Sequence, residues 1–225
     1  MRSHFRPLLT SFSILPLALV VLPAARPGPG APSWSAVAQA DTGRLRLVVA
    51  AEGNEARFRV REQLARIDFP SDAVGRTSNM TGTLVLEADG TVVRDSSRFT
   101  IDLATLVSDA ERRDNYIRRR TLVTDTFPTA VLVPTELRGL TFPLADGEHT
   151  FQLVGDLTVR NVTRPTTWAV TARVTDGVVA GQATTSFTFA DFEMTKPRVA
   201  SVLSVQDDIR LEYDFRLEPL VPDGR

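Results

Sequence analysis

Residues Ile209–Glu218, IRLEYDFRLE, alternate apolar and charged side chains without a break. Ile209, Leu211, Tyr213, Phe215 and Leu217 fall on one face; Arg210, Glu212, Asp214, Arg216 and Glu218 fall on the other. A period of two belongs to an extended strand, whose successive side chains point to opposite sides of a sheet. One dry face and one wet face are the mark of an antiparallel sheet, because parallel sheets are covered on both sides and read as continuous apolar runs.

The same alternation recurs along the chain. Phe58 and Val60 lie between Arg57, Arg59 and Arg61, and Phe99, Ile101 and Leu103 between Arg98, Thr100 and Asp102. Trp168, Val170, Ala172 and Val174 alternate with small or polar residues, as do Phe187 and Phe189. Asp89-Gly90, Asp146-Gly147 and Asp176-Gly177 separate such runs, and Asp-Gly readily adopts the positive φ values of tight hairpin turns. Eight or nine strands at hairpin spacing, without a long repeat, predict an all-β antiparallel barrel or sandwich. One interruption, from Ser108 to about Thr124, predicts a short helix of one or two turns. Ser108 or Asp109 is its expected cap, and Arg118, Arg119 and Arg120 form a solvated C-terminal end suited to the helix dipole.

Residues 1–40 read as a signal peptide removed from the folded domain, 41–225. Arg2 and Arg6 precede an apolar core from Leu8 to Leu22, and Ala38-Gln39-Ala40 supplies a small-x-small cleavage pattern. The apolar core is shorter than the roughly 20 residues of a membrane span, so no stable membrane anchor is expected. The chain contains no cysteine, which excludes disulfides and a cysteine nucleophile. Residues 41–225 hold 23 basic and 27 acidic side chains, a balance that gives no electrostatic reason to bind nucleic acid.

The inventory also argues against an enzyme. His149 is the sole histidine after residue 40, no Gly-x-Ser-x-Gly elbow is present, and a zinc site built from several His or Cys ligands is excluded. No cofactor or metal is expected. The inward face carries Phe58, Phe99, Ile101, Phe151, Trp168, Phe187, Tyr213 and Phe215 with little charge. A barrel of about eight strands has room either for side chains or for one small ligand. The residues alone leave both open: a filled core, with function at the surface as an interaction or scaffold module, or a lined tunnel.

Three segments, in order, carry a resemblance. The first is Arg113-Asp114-Asn115-Tyr116-Ile117, followed by Leu122, Asp125, Phe127-Pro128 and Leu132; the last is Ala190-Asp191-Phe192. Between them, Gly155 to Pro165 reads as a strand end with Leu157 and Val159 on one face, a polar turn, and a restart fixed by proline. Together, and across roughly Leu45 to Leu217, these resemble the YceI-like family of exported lipocalin-like β-barrels that bind polyisoprenoids. Tyr116 stands where that family usually has His, and Asn161 and Glu193 where Gly is common. Gly53 to Gly82 is longer and more charged than the family's entrance region. The resemblance implies a single antiparallel lipocalin-like barrel of about eight strands, exported to the periplasm or the exterior. It implies that the eight apolar residues named above wall a tunnel for an isoprenoid lipid or isoprenoid quinone. Tyr213 then points its hydroxyl at a head group or at a wall partner, and Trp168 faces the tunnel or closes its end. From its place in the helical interruption, Asp114 is expected to hold the loop through backbone amides or to pair with a nearby Arg, a structural role rather than a catalytic one. Family members are often homodimers, and Arg57, Arg59 and Arg61 on an outer face offer charges to acids of a second copy.

Overall fold

The computed structural model describes residues 43–65, 68–199 and 202–220. The expected signal peptide, residues 1–40, lies outside this set.

The strands are β1 (Leu45–Val49), β2 (Glu55–Leu64), β3 (Ser71–Thr77), β4 (Met80–Leu86), β5 (Arg98–Asp102), β6 (Thr129–Arg138), β7 (Gly147–Val159), β8 (Val162–Thr175), β9 (Val178–Thr188) and β10 (Val202–Pro219). Every pairing is antiparallel, in the order β1-β4-β5-β6-β7-β8-β9-β10-β2-β3, and β1 also pairs with β10. That last pairing closes the sheet into an eight-strand barrel.

Two of the staves are broken. β10 pairs with β2 over Val202–Asp214 and then with β1 over Leu217–Pro219, so β1 and β2 are one stave interrupted at Ala50–Asn54. β3 and β4 are likewise one stave, interrupted at Ser78-Asn79 and paired to β2 and then β1. The charged segment from Gly53 to Gly82 is therefore mostly wall: it forms β2 and β3.

The alternation sorts as the sequence predicts. Leu157 and Val159 on β7, and Trp168, Val170, Ala172 and Val174 on β8, are buried, while the intervening β8 residues are exposed. Each fully buried Val- or Leu-sized side chain contributes about 1.5–3 kcal/mol. Polar residues outward and apolar residues inward is the reverse of a membrane-spanning barrel. No helix among the described residues is long and apolar enough to cross a membrane.

The turns partly depart from expectation. Asp176-Gly177, at φ 51° and 79°, makes the tight β8–β9 hairpin. Asp89-Gly90 closes a small turn after β4, with Gly90 N donating to Glu87 O at 2.9 Å. Asp146-Gly147 is not a hairpin turn, because Gly147 already pairs with Val174 at the start of β7. The β7–β8 turn is Arg160-Asn161, both at positive φ (52° and 63°), which explains why glycine suits position 161. Pro165 does not restart the strand. It sits inside β8 opposite Asp156, tolerated because the β9 ladder begins only at Ala169.

The helical insertion is α1 (Glu111–Tyr116), continued by a wider π-type turn over Ile117–Leu122. Neither Ser108 nor Asp109 caps it; Ala110 occupies the cap without a side-chain bond. Ser108 is engaged elsewhere, donating its amide (2.8 Å) and hydroxyl (2.5 Å) to the Asp114 carboxylate. Asp114 thus has the loop-holding role anticipated for it. The arginine run is only partly solvated: Arg119 and Arg120 are exposed, but Arg118 donates to the Leu106 carbonyl at 2.8 Å.

Candidate functional site

The barrel interior is not filled. A cavity of about 680 Å³ runs within it, inside the range of roughly 300–1,000 Å³ typical of small-molecule sites. All eight residues singled out in the sequence, Phe58, Phe99, Ile101, Phe151, Trp168, Phe187, Tyr213 and Phe215, lie in its wall. Leu140 and Leu144, from the loop between β6 and β7, line it at one end, and α1 with its π-type turn lines it at the other. Between Ile209 and Leu217 alone the β10 wall extends about 26 Å, at ~3.3 Å per residue. Phe99 and Tyr213 meet edge-to-face with centroids 6.5 Å apart although two staves separate β5 from β10, so the lumen narrows there. Tyr213 and Phe215 continue the aromatic wall at 5.7 Å.

Close approach of backbone to ring sets part of this wall. A Cβ on Gly75 would stand 2.1 Å from the Phe58 ring, so the bare glycine of β3 is what lets that ring lie flat across the sheet.

Most polar groups along the lumen are already satisfied by the wall. The Tyr213 hydroxyl donates to Asn54 Oδ1 at 3.1 Å, which selects the wall-partner alternative. Its burial raises the phenol pKa well above the ordinary value. Trp168 faces the lumen and donates its indole N–H to Thr166 Oγ1 at 3.0 Å, and Thr166 in turn donates to the Gly155 carbonyl. The His149 ring bonds the Ala145 carbonyl at 2.8 Å.

The helical end is different. Glu62 continues the inward parity of Phe58 and Val60, is 7% exposed, and takes a 2.6 Å ion pair from Arg113. Arg113 also pairs with Asp109. The low charge expected of the inward face therefore fails at this end, where Arg112 and Arg198 also line the cavity. Period-two counting along β2 places Glu62 inside; its partner, 51 positions away, has no local signal.

The outer arginines find their acids within the chain. Arg57 pairs with Glu55, Glu212 and Asp214, Arg59 with Glu212 and Asp72, and Arg61 with Asp72. Burial alone would raise the Glu212 pKa, but hydrogen bonds from Arg59 and Arg57 outweigh it and leave the carboxyl below its usual range. The hydrogen bond from Arg57 does the same for Asp214. Among the described residues, no group of three or more His, Cys, Asp or Glu side chains is placed to hold a metal ion.

The third segment, Ala190-Asp191-Phe192, is a 3-10 turn after β9. Asp191 accepts from the Thr188 amide at 2.7 Å, and Phe192 is wholly buried against Phe187, with centroids 4.6 Å apart. Glu193 follows at φ 52°, the conformation that glycine adopts without strain.

A family model described as a YceI-like domain matches residues 47–217. A polyisoprenoid-binding domain from Saccharophagus degradans, implicated in plant cell wall breakdown, is similar in structure. Its TM-score is 0.57 at 12% identity, over 78% of this chain and 98% of that one. BcnA of Burkholderia cenocepacia is similar with TM-score 0.54 and 14% identity, over 72% and 95% of the two chains. The YceI protein of Campylobacter jejuni gives 0.53 and 14%, over 71% and 91%. At such identities the likeness is one of fold. The chain matches no curated protein.

Proposed function

Because the chain belongs to the YceI-like family, we propose that it binds one long apolar isoprenoid, a polyprenyl lipid or the tail of a quinone, in the barrel lumen. The observation that carries this reading is the apolar cavity of about 680 Å³, walled by aromatic side chains from strands all round the barrel. Each CH₂ moved out of water into such a wall contributes roughly 0.8 kcal/mol, so several prenyl units bind tightly without a polar contact. A similar fold in a polyisoprenoid-binding domain supports the same choice of ligand class. An unfilled lumen counts against a solid core that acts only through its surface. Our reading is of a binding protein, not an enzyme.

We place the protein outside the cytoplasmic membrane, where a carrier shields an isoprenoid tail from water. The leader-like residues 1–40 and the absence of cysteine support that location.

The test is organic extraction and mass spectrometry of the exported protein, purified without detergent. A stoichiometric polyprenyl or quinone species is expected. An empty extract, still empty after incubation with isoprenoid-rich vesicles, overturns the proposal.

A further inference from the structure

The segment between β6 and β7, Leu140 to Asp146, belongs to neither strand, yet it alternates as a strand does. Leu140, Phe142 and Leu144 are partly buried, whereas Thr141, Pro143 and Ala145 between them are exposed. Leu140 and Leu144 line the cavity, and Phe142 packs against the core. A connection that merely ran over the surface would have no dry face. This one turns its apolar side chains toward the lumen at the mouth opposite the helix.

Side chains, not a ladder, hold the segment in place. A Cβ on Gly90 would stand 2.1 Å from the Phe142 ring, so that ring lies against the bare glycine of the turn after β4. β5 stands between β4 and β6 in the sheet, so the segment reaches past the end of a neighbouring stave to find this seat. On its other side the Ala145 carbonyl is held by the His149 ring, 2.8 Å away on β7. Gly139 (φ 83°) and Gly147 (φ 133°) bound it, both with backbone that side chains rarely adopt and with open space where a Cβ would lie. The result is a strap fixed at two points between two glycine joints. Its charged member, Asp146, does not line the cavity.

We propose that this strap is the stop that limits ligand length, with Leu140 and Leu144 as the residues that decide the longest isoprenoid accepted. The proposal rests on the lumen being a lipid site. Both leucines are only partly buried, so contact with the end of a tail completes their burial. A tail one prenyl unit too long has to displace the Phe142 ring from Gly90 or leave methyl groups unaccommodated. Even one methylene in an apolar pocket changes affinity by about tenfold or more, so a five-carbon unit makes a sharp limit.

The probes are the prenyl alcohols farnesol, geranylgeraniol, hexaprenol and solanesol, each titrated against the detergent-free protein and followed by tryptophan emission. Affinity should rise at least about tenfold per added prenyl unit up to a limit and then stop rising or fall. Leu140→Ala/Leu144→Ala should move that limit to a longer alcohol, while alcohols below it bind within about threefold of wild type. Leu144→Trp should move it to a shorter one, and melting temperatures verify that both variants are folded. Affinity that climbs through solanesol in the wild type shows an open mouth and overturns the proposal without any variant. A limit that stays put in both variants places the stop elsewhere and also overturns it, leaving the lipid lumen standing. Failure of every alcohol to bind removes the lumen reading and the stop together.

Discussion

Tyr213 and Asn54 join the middle of β10 to the break between β1 and β2. The Tyr213 hydroxyl reaches Asn54 Oδ1 at 3.1 Å, the Arg216 amide reaches the same oxygen at 3.0 Å, and Asn54 Nδ2 donates to the Ala50 and Glu52 carbonyls. One buried amide thus uses both its donors and its acceptor to hold a stave together where the ladder changes partner. Asn54→Ala strips all four bonds and orphans two buried donors, so a loss of about 2–4 kcal/mol is expected. Tyr213→Phe removes one bond and should lose only about 1 kcal/mol. Denaturant unfolding of both variants checks the order; a milder effect at position 54 than at 213 contradicts it.

Alkaline pH should expose the same residue. Burial raises the Tyr213 phenol pKa in the folded state, whereas the unfolded chain releases that proton at the ordinary value near 10. The unfolded state therefore binds fewer protons above pH 10, and the stability that the neutral phenol contributes is lost progressively from there upward. Melting temperatures at pH 8 and pH 11 measure the drop, and Tyr213→Phe should make it shallower.

Acid acts on the outer face. Glu212 and Asp214 have folded-state pKa values below their usual ones, so their contribution is complete above the unfolded value and fades as pH falls through the lowered ones. Glu212→Gln should lower stability at pH 7 by about 1–2 kcal/mol, discounted for the exposure of Arg59 and Arg210, and flatten the acid limb. A melting curve series from pH 3 to 7 that keeps its slope in the variant argues against this cluster.

Filling the lumen separates a tunnel from a packed core. Ala183 lies on the inward face of β9, 6% exposed and lining the cavity. In a close-packed interior Ala183→Phe would cost about 1–3 kcal/mol through overpacking. Here the ring enters free space, so stability should change by less than about 1 kcal/mol while geranylgeranyl lipid binding falls at least about tenfold. Full binding in a stable variant would show that the lipid lies elsewhere.

The wall of the barrel was legible in the sequence because period-two alternation is local. Phe58, Phe99, Trp168, Tyr213 and their companions needed only neighbours one and two positions away to declare an inward face. The break at Asn54 was not legible, since it depends on β10 passing from β2 to β1, a contact more than 150 positions away. Charge misled in two places. Arg57 and Arg59 read as charges on offer to a second copy, whereas Glu212 of the same chain lies beside them, and the inward face read as carrying little charge includes Glu62.

The broken stave of β3 and β4 gives the barrel two unequal halves. β4 is laddered on both edges, to β1 and β5, whereas among the described residues the outer edge of β3 meets the rest of the sheet through one bridge, Arg76 to Val107, with the Thr77 and Thr105 hydroxyls beside it. A seam so thinly laced should open at lower cost than the fully laddered staves. The barrel would then behave as a sleeve with a hinged panel, and β3 amides should exchange with solvent through an opening far smaller than global unfolding. Side entry through such a panel would admit a long tail by its flank instead of threading it end-on.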